Sequence, residues 1–239
     1  MVICSCMQWI LYTKQTNKKK PALQLRLLRI NNCMSKDQIP SWFYIESAIT
    51  QDEIAAIQHE LVPSLSILVP FYDSIPGTFN KVEVDLVKQL SPSLVTALER
   101  IGLLDKWTYA GIVIANKNFK DCWPVHTDDP NGNRCIALNL PLLNCVGTYT
   151  AWYEPIGTPT AEASVNRSAY KGQKTDPYYD TVAGPSNYLN KDVVEVARMP
   201  SELCSFINVG KLHRPVVEHM LPRVLISMRF WPEIFDYFD

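Results

Sequence analysis

Residues 207–230 read INVGKLHRPVVEHMLPRVLISMRF. The stretch leaves a β-prone run at Val209 and reaches a histidine at 213. It then turns through Leu221-Pro222 and enters RVLISMRF (223–230), a run that opens on Arg223 and reads as a strand. Working outward, LCSFINV (203–209), DVVEVAR (192–198), GTYTAWYE (147–154), RCIALNLPL (134–142) and WTYAGIVIAN (107–116) are further strand candidates, separated by turn-rich stretches. Helical patterns come only before them. Helices first and many short strands later predict an α+β chain, mainly β, with helices covering one face of a β-sandwich or barrel.

The N-terminal part supplies those helices. After a first strand expected in IPSWFYIES (39–47), Thr50-Gln-Asp-Glu53 is a capping box that opens a helix ended by Pro63. His59 falls on this helix beside Glu60 and reads as a surface residue. A second helical region is expected over 81–105, where Ser91-Pro92 gives an N-cap followed by proline in the first turn, and Leu94, Leu98 and Ile101 keep helical spacing.

With 239 residues, 47% of them hydrophobic and 20% charged, the chain suits one domain with a sizeable core. A net charge of −1 and a pI near 6.4 give no electrostatic footprint for nucleic acid or an anionic membrane. The seven cysteines (Cys4, Cys6, Cys33, Cys122, Cys135, Cys145, Cys204) are scattered without a CxxC. They read as reduced thiols of a cytoplasmic protein rather than a zinc site or a disulfide framework. The apolar residues 1–12 are too few to span a bilayer. A start at Met34 would make residues 1–33 an extension or a gene-model artefact, leaving 34–239 as the domain. Residues 155–191 show no hydrophobic period, and a loop this long is expected to be a functional lid, a binding loop or disorder.

Residues 122–132, CWPVHTDDPNG, place His126 two positions before Asp128. Alone the pair could be a turn histidine and an Asx-type turn residue. Joined to His213 it becomes a ligand set. Two neutral imidazoles and a carboxylate on one face of an octahedron leave three adjacent positions open, the arrangement of non-heme Fe(II) oxygenases. Residues i and i+2 share a strand face, which favours Asp128 over Asp129. His219, with Arg229 ten residues beyond it, competes with His213 and Arg223. His213 is preferred because it directly follows a strand run, and Arg229 falls late in the last strand. A guanidinium set back from the metal can pair with the far carboxylate of a co-substrate.

Over roughly residues 107–230 the sequence resembles the Fe(II)- and 2-oxoglutarate-dependent oxygenases with a double-stranded β-helix core. Besides the triad and Arg223, IANKNFKDCWPVHTD looks like the approach to the metal in the prolyl-hydroxylase branch. ALNLPLLNC followed by TAWYE resembles relatives of the aspartyl/asparaginyl hydroxylases. Lys117 stands where prolyl-hydroxylase relatives often carry a tyrosine, and Ser227 lies four residues after Arg223 rather than two.

The resemblance implies a double-stranded β-helix (jelly-roll or cupin-like) with N-terminal helices packed outside. It implies that His126, Asp128 and His213 hold Fe(II), that Arg223 with Ser227 anchors 2-oxoglutarate, and that O2 is consumed with release of succinate and CO2 in a hydroxylation. Asn116, Asn139 and Tyr153 are further candidates for the co-substrate. Trp123, Tyr170, Tyr178 and Tyr179 are candidates for gripping a small-molecule or peptide substrate. Two other readings remain. A cupin-like metal enzyme without 2-oxoglutarate would keep the triad and have no need of Arg223, and a non-catalytic β-sandwich binding module would need neither.

Overall fold

The computed structural model describes residues 42–43, 49–73, 78–115, 125–128, 136–156, 187–188, 193–218 and 221–230. The expected extension at 1–33 lies outside the described residues, as does the 155–191 insert apart from residues 155–156 and 187–188.

Local chemistry sets the first elements. Strand β1 (Trp42–Phe43) precedes helix α1 (Gln51–Leu61), whose capping box is complete. The Thr50 hydroxyl accepts from the Glu53 amide at 3.2 Å, and the Glu53 carboxylate accepts from the Thr50 amide at 2.7 Å. Ile54, Ile57 and Leu61, three and four residues apart, form its buried stripe. A short helix α2 (Leu65–Leu68) follows.

The stretch read as one helical region over 81–105 divides, and this corrects the sequence expectation. Strand β2 (Thr78–Val82), helix α3 (Val84–Leu90), helix α4 (Pro92–Arg100) and a 3-10 turn (Leu104–Lys106) occupy it. The break has a cause in two residues. Pro92 has no N–H to return to α3, and the Ser91 hydroxyl accepts from the Leu94 amide at 3.3 Å, starting a new helix.

Among the described residues nine strands follow: β3 (Trp107–Ala115), β4 (Val125–His126), β5 (Ile136–Leu143), β6 (Thr148–Pro155), β7 (Asn187–Tyr188), β8 (Val193–Pro200), β9 (Ser205–Asn208), β10 (His213–Val217) and β11 (Arg223–Phe230). They form two sheets with every pairing antiparallel, one ordered β1-β9-β5-β11-β3-β2 and the other β7-β4-β10-β6-β8. The chain crosses repeatedly between them. Strands β3, β5, β9 and β11 lie in the larger sheet, and β4, β6, β8 and β10 in the smaller, a jelly-roll arrangement.

Strand alternation decides which residues meet the helices. Ile112, Ile114, Leu138, Leu140, Ile226 and Met228 share one buried cluster with Ile57, Leu61, Leu94 and Leu98 of α1 and α4. The Gln58 side chain on α1 also donates to the Pro141 carbonyl of β5 at 3.0 Å. The intervening residues Gly111, Val113, Asn139, Arg223 and Ser227 therefore face the space between the sheets. Among the described residues no helix is long and apolar enough to cross a membrane.

Candidate metal centre

Strands β4 and β10 are neighbours in the smaller sheet, and the pairing between them sets His126 opposite His213. Their ring centroids are 4.7 Å apart and tilted by 43°. Asp128 follows two residues after His126, beyond the strand end, with its amide donating to the Val209 carbonyl at 2.9 Å. Its Oδ1 lies 3.2 Å from His126 Nε2 and 3.7 Å from His213 Nε2. One ligand atom from each of the three residues lies within 4.8 Å of the others, so the trio could hold a metal ion.

The donor chemistry suits a cation. His213 Nδ1 is 2.9 Å from the Lys211 carbonyl. A carbonyl only accepts, so Nδ1 carries the hydrogen and Nε2 presents its lone pair toward Asp128. Burial pulls the His213 imidazole down to about 4, which keeps it neutral at physiological pH. Burial pushes the Asp128 carboxyl up. The hydrogen bond with His126 and the charge of Arg229 outweigh it, holding the group far below the usual carboxylate range. The neutral imidazole of His213, a second imidazole from His126 and one carboxylate anion are the kinds of donor that a divalent transition metal takes.

Next to the triad is a small, partly open pocket, lined by residues that include Phe79, Asn139, Thr150, Pro215, Arg223 and Ser227. Arg223 is 2% exposed. Its Nη2 donates to the Thr150 hydroxyl at 3.4 Å, while its Nε has no partner. Burial pulls its guanidinium down to about 10, so it remains a cation at neutral pH. Its other close neighbour is the Cys145 thiol, which burial keeps protonated. No carboxylate among the described residues pairs with it. A buried cation without an anion is costly and points to an anionic ligand.

Of the residues singled out in the sequence, His126, Asp128, His213, Arg223, Ser227 and Asn139 converge on this pocket. Tyr153 does not. Alternation along β6 turns Thr150 and Trp152 one way and Tyr153 the other, into a small cluster with Val125, Ala151 and Val193. Its hydroxyl accepts from Arg214 Nε at 3.0 Å and lies 3.4 Å from Glu195. A co-substrate role for Tyr153 is therefore corrected. Asn116, Trp123, Tyr170, Tyr178 and Tyr179 lie outside the described residues.

Three contributors escaped the sequence reading. Arg229 donates to Asp128 Oδ2 at 2.6 Å, Thr150 meets Arg223, and Phe79 forms part of the wall. For Arg229 a signal existed, since Arg223, Ser227 and Arg229 stand at even spacing and share one face of β11. For Thr150 the same parity with Trp152 could have served. Phe79 had none: no strand is expected there from the sequence, and the end of β2 falls inside the expected helical region.

No family model matches the chain, and no curated protein matches it in sequence. Similar solved structures include HygX from Streptomyces hygroscopicus with nickel and 2-oxoglutarate bound, at 10% identity and a TM-score of 0.39, covering 80% of this chain and 82% of HygX. The non-heme α-ketoglutarate-dependent epimerase SnoN from nogalamycin biosynthesis is similar at 12% identity and a TM-score of 0.40, covering 80% of this chain and 78% of SnoN. A Pseudomonas putida prolyl-4-hydroxylase is similar at 12% identity and a TM-score of 0.36, covering 80% of this chain and 91% of that enzyme.

Proposed function

We propose that this chain is an Fe(II)- and 2-oxoglutarate-dependent dioxygenase, a hydroxylase built on a double-stranded β-helix. The observation that carries the reading is the pairing of a His-Asp-His triad with a buried arginine lacking an anion, at the right separation. His213 pairs with Trp152 across β10 and β6, and Pro215 with Thr150, which is the residue that touches Arg223. The arginine's contact is thus two residues along the strand from the ligand histidine, about 7 Å at a rise of ~3.3 Å per residue. A short dicarboxylate spans that gap with one end at the triad and the other at Arg223.

His126, Asp128 and His213 would hold Fe(II). With 2-oxoglutarate and O2, the iron supplies the oxidising power to take hydrogen from an unactivated C–H bond, and succinate and CO2 are released. The chain's own work is binding and orientation. Arg223 would meet the distal carboxylate with two parallel N–H donors, fixing the co-substrate's direction as well as its charge. The Thr150 hydroxyl, which accepts from Arg223, holds the guanidinium in place. Asn139 adds an unsatisfied Oδ1 to the pocket, available to a hydroxyl or water at the ligand. Ile207, Val209 and Val113 keep the chamber wall apolar and strengthen the ion pairing inside it. Cys145 and Cys204 are free thiols, which supports a reducing compartment such as the cytoplasm. The substrate is a small molecule or a peptide.

Anaerobic titration of the Fe(II)-loaded protein with 2-oxoglutarate tests the reading. A visible charge-transfer band should grow and saturate, weaken in Arg223→Ala and disappear in His213→Ala. Iron binding without any band favours a cupin-like enzyme that does not use 2-oxoglutarate.

A further inference from the structure

We propose that Arg229 and Ser227 form a positioning relay for Asp128: together they occupy one carboxylate oxygen and aim the other between the two histidines. The inference rests on the metal-centre reading above and concerns residues that reading leaves without a task.

Within its own segment the Asp128 carboxylate is met at one oxygen, by His126 Nε2 3.2 Å from Oδ1. The residue lies beyond the end of β4, and its amide bond to Val209 fixes the backbone but not the carboxylate plane. Arg229 supplies what is missing. It is 8% exposed, and its two terminal nitrogens are divided between partners: Nη2 donates to Asp128 Oδ2 at 2.6 Å and Nη1 donates to the Ser227 hydroxyl at 2.8 Å. The guanidinium is planar, so fixing one nitrogen on Ser227 fixes the direction of the other. Ser227 is itself buried. It stands in the interior of β11, paired with Gly111 on one side and Asn139 on the other.

With Oδ2 engaged, Oδ1 is the oxygen that faces His126 and His213. Asp128 is therefore a one-oxygen ligand, and Ser227 serves the metal ligand rather than the distal carboxylate of the co-substrate. The two arginines of β11 divide their work: Arg229 is already matched by a carboxylate of the chain, and Arg223 waits for one from outside.

The test is titration of the full-length metal-free protein with Co(II), followed by its visible ligand-field absorption, with no 2-oxoglutarate present. Wild type is compared with Arg229→Met, Arg229→Lys and Ser227→Ala, and the melting temperature of each metal-free variant is recorded. Arg229→Met should weaken Co(II) binding about 10- to 100-fold, the usual effect of losing a partner of a metal ligand. It should also alter the shape of the band per bound ion, because the released Oδ2 can enter the coordination shell. Arg229→Lys, which offers a point charge but no fork, should recover part of the affinity and not the wild-type band. Ser227→Ala removes only the anchor and should weaken binding by about 10-fold, at the lower end of that range. Should Arg229→Met fail to fold, Ser227→Ala and Arg229→Lys decide the matter.

Variants that bind Co(II) as tightly as wild type, with an unchanged band, overturn the relay while leaving the metal centre standing. A wild type that takes up no Co(II) overturns the metal centre and the relay together. A missing 2-oxoglutarate band beside a normal Co(II) titration counts only against the co-substrate.

Discussion

Arg223 and Arg229 project from the same face of one strand six residues apart, yet among the described residues only Arg229 meets a carboxylate. The asymmetry has an energetic meaning. Arg229 is a satisfied ion pair, whereas Arg223 holds a buried charge with an orphaned Nε. Natural cores avoid such a charge unless something arrives to use it.

Arg223→Met should therefore separate stability from function. Replacing the buried cation by an apolar chain of similar volume is expected to leave the metal-free protein unchanged or more stable by up to about 2 kcal/mol. Affinity for 2-oxoglutarate should fall roughly 100-fold through loss of two charge-assisted hydrogen bonds. Thermal melts and the anaerobic titration read the two effects independently. A variant that melts well below wild type would mean that Arg223 is chiefly structural.

A second expectation concerns the opposite wall. The Phe79 ring from β2 lies over Gly111 of β3, stacked on Tyr109 at 5.8 Å, and any Cβ at position 111 would run into it. Gly111→Ala should cost about 1–3 kcal/mol through overpacking. Adding Phe79→Leu should recover much of the loss, a coupling that urea denaturation of the double-mutant cycle would reveal. Equal costs in the presence and absence of Phe79 would show that the ring is not what excludes a side chain there.

Glu60 gives a prediction about acid. Its carboxylate on α1 accepts from the Ser91 hydroxyl at 2.6 Å and from the Ser93 hydroxyl and amide at 2.6 and 3.1 Å, tying α1 to the start of α4. Burial, the largest single influence, pushes the group up, but the bonds from Ser91 and Ser93 and the charge of His59 together hold it below its ordinary 4.5. A carboxyl depressed in the folded state adds stability that is complete above 4.5 and fades as pH falls through the lower folded value. Glu60→Gln should thus cost about 1–2 kcal/mol at neutral pH and progressively less below pH ~4. Urea midpoints of wild type and variant that stay equally far apart from neutral to acid pH would refute the linkage.

The thiols supply a fourth. Burial pushes Cys204 up to about 12 and raises Cys145 as well, so neither presents a thiolate at neutral pH. Iodoacetamide should leave both unmodified in the folded protein and label both in urea, as peptide mass mapping would record. Rapid labelling of Cys145 under native conditions would mean that the pocket end beside Arg223 opens readily.

How much of this was legible in the sequence depends on whether the controlling contacts are local. Helix α1 was, because Thr50 and Glu53 specify its start within four residues. His126, Asp128, His213 and Arg223 were named through the resemblance over residues 107–230, and they line one pocket; strand parity alone would not have joined them, since Asp128 lies beyond the end of β4. Strand β10 was not legible: HRPVV carries a proline and two basic residues, a pattern that argues against a strand unless the neighbouring strands supply the pairing. Strand β4 is two residues long and exists only through its partners β10 and β7. The bond between Arg229 and Asp128 joins residues 101 positions apart, beyond the reach of any local pattern. Tyr153 was misassigned because parity along TAWYE was not applied: it faces the opposite way from Thr150 and Trp152.

That brief contact between β4 and β10 has one more consequence. His126 and His213 are both the candidate ligands and the residues through which these two strands register. An ion bound there would act as a rivet across a seam that has little hydrogen-bonded ladder of its own. Free metal concentration then becomes a variable of folding as well as of catalysis, with the margin of the smaller sheet tightening or loosening by mass action as the ion comes and goes.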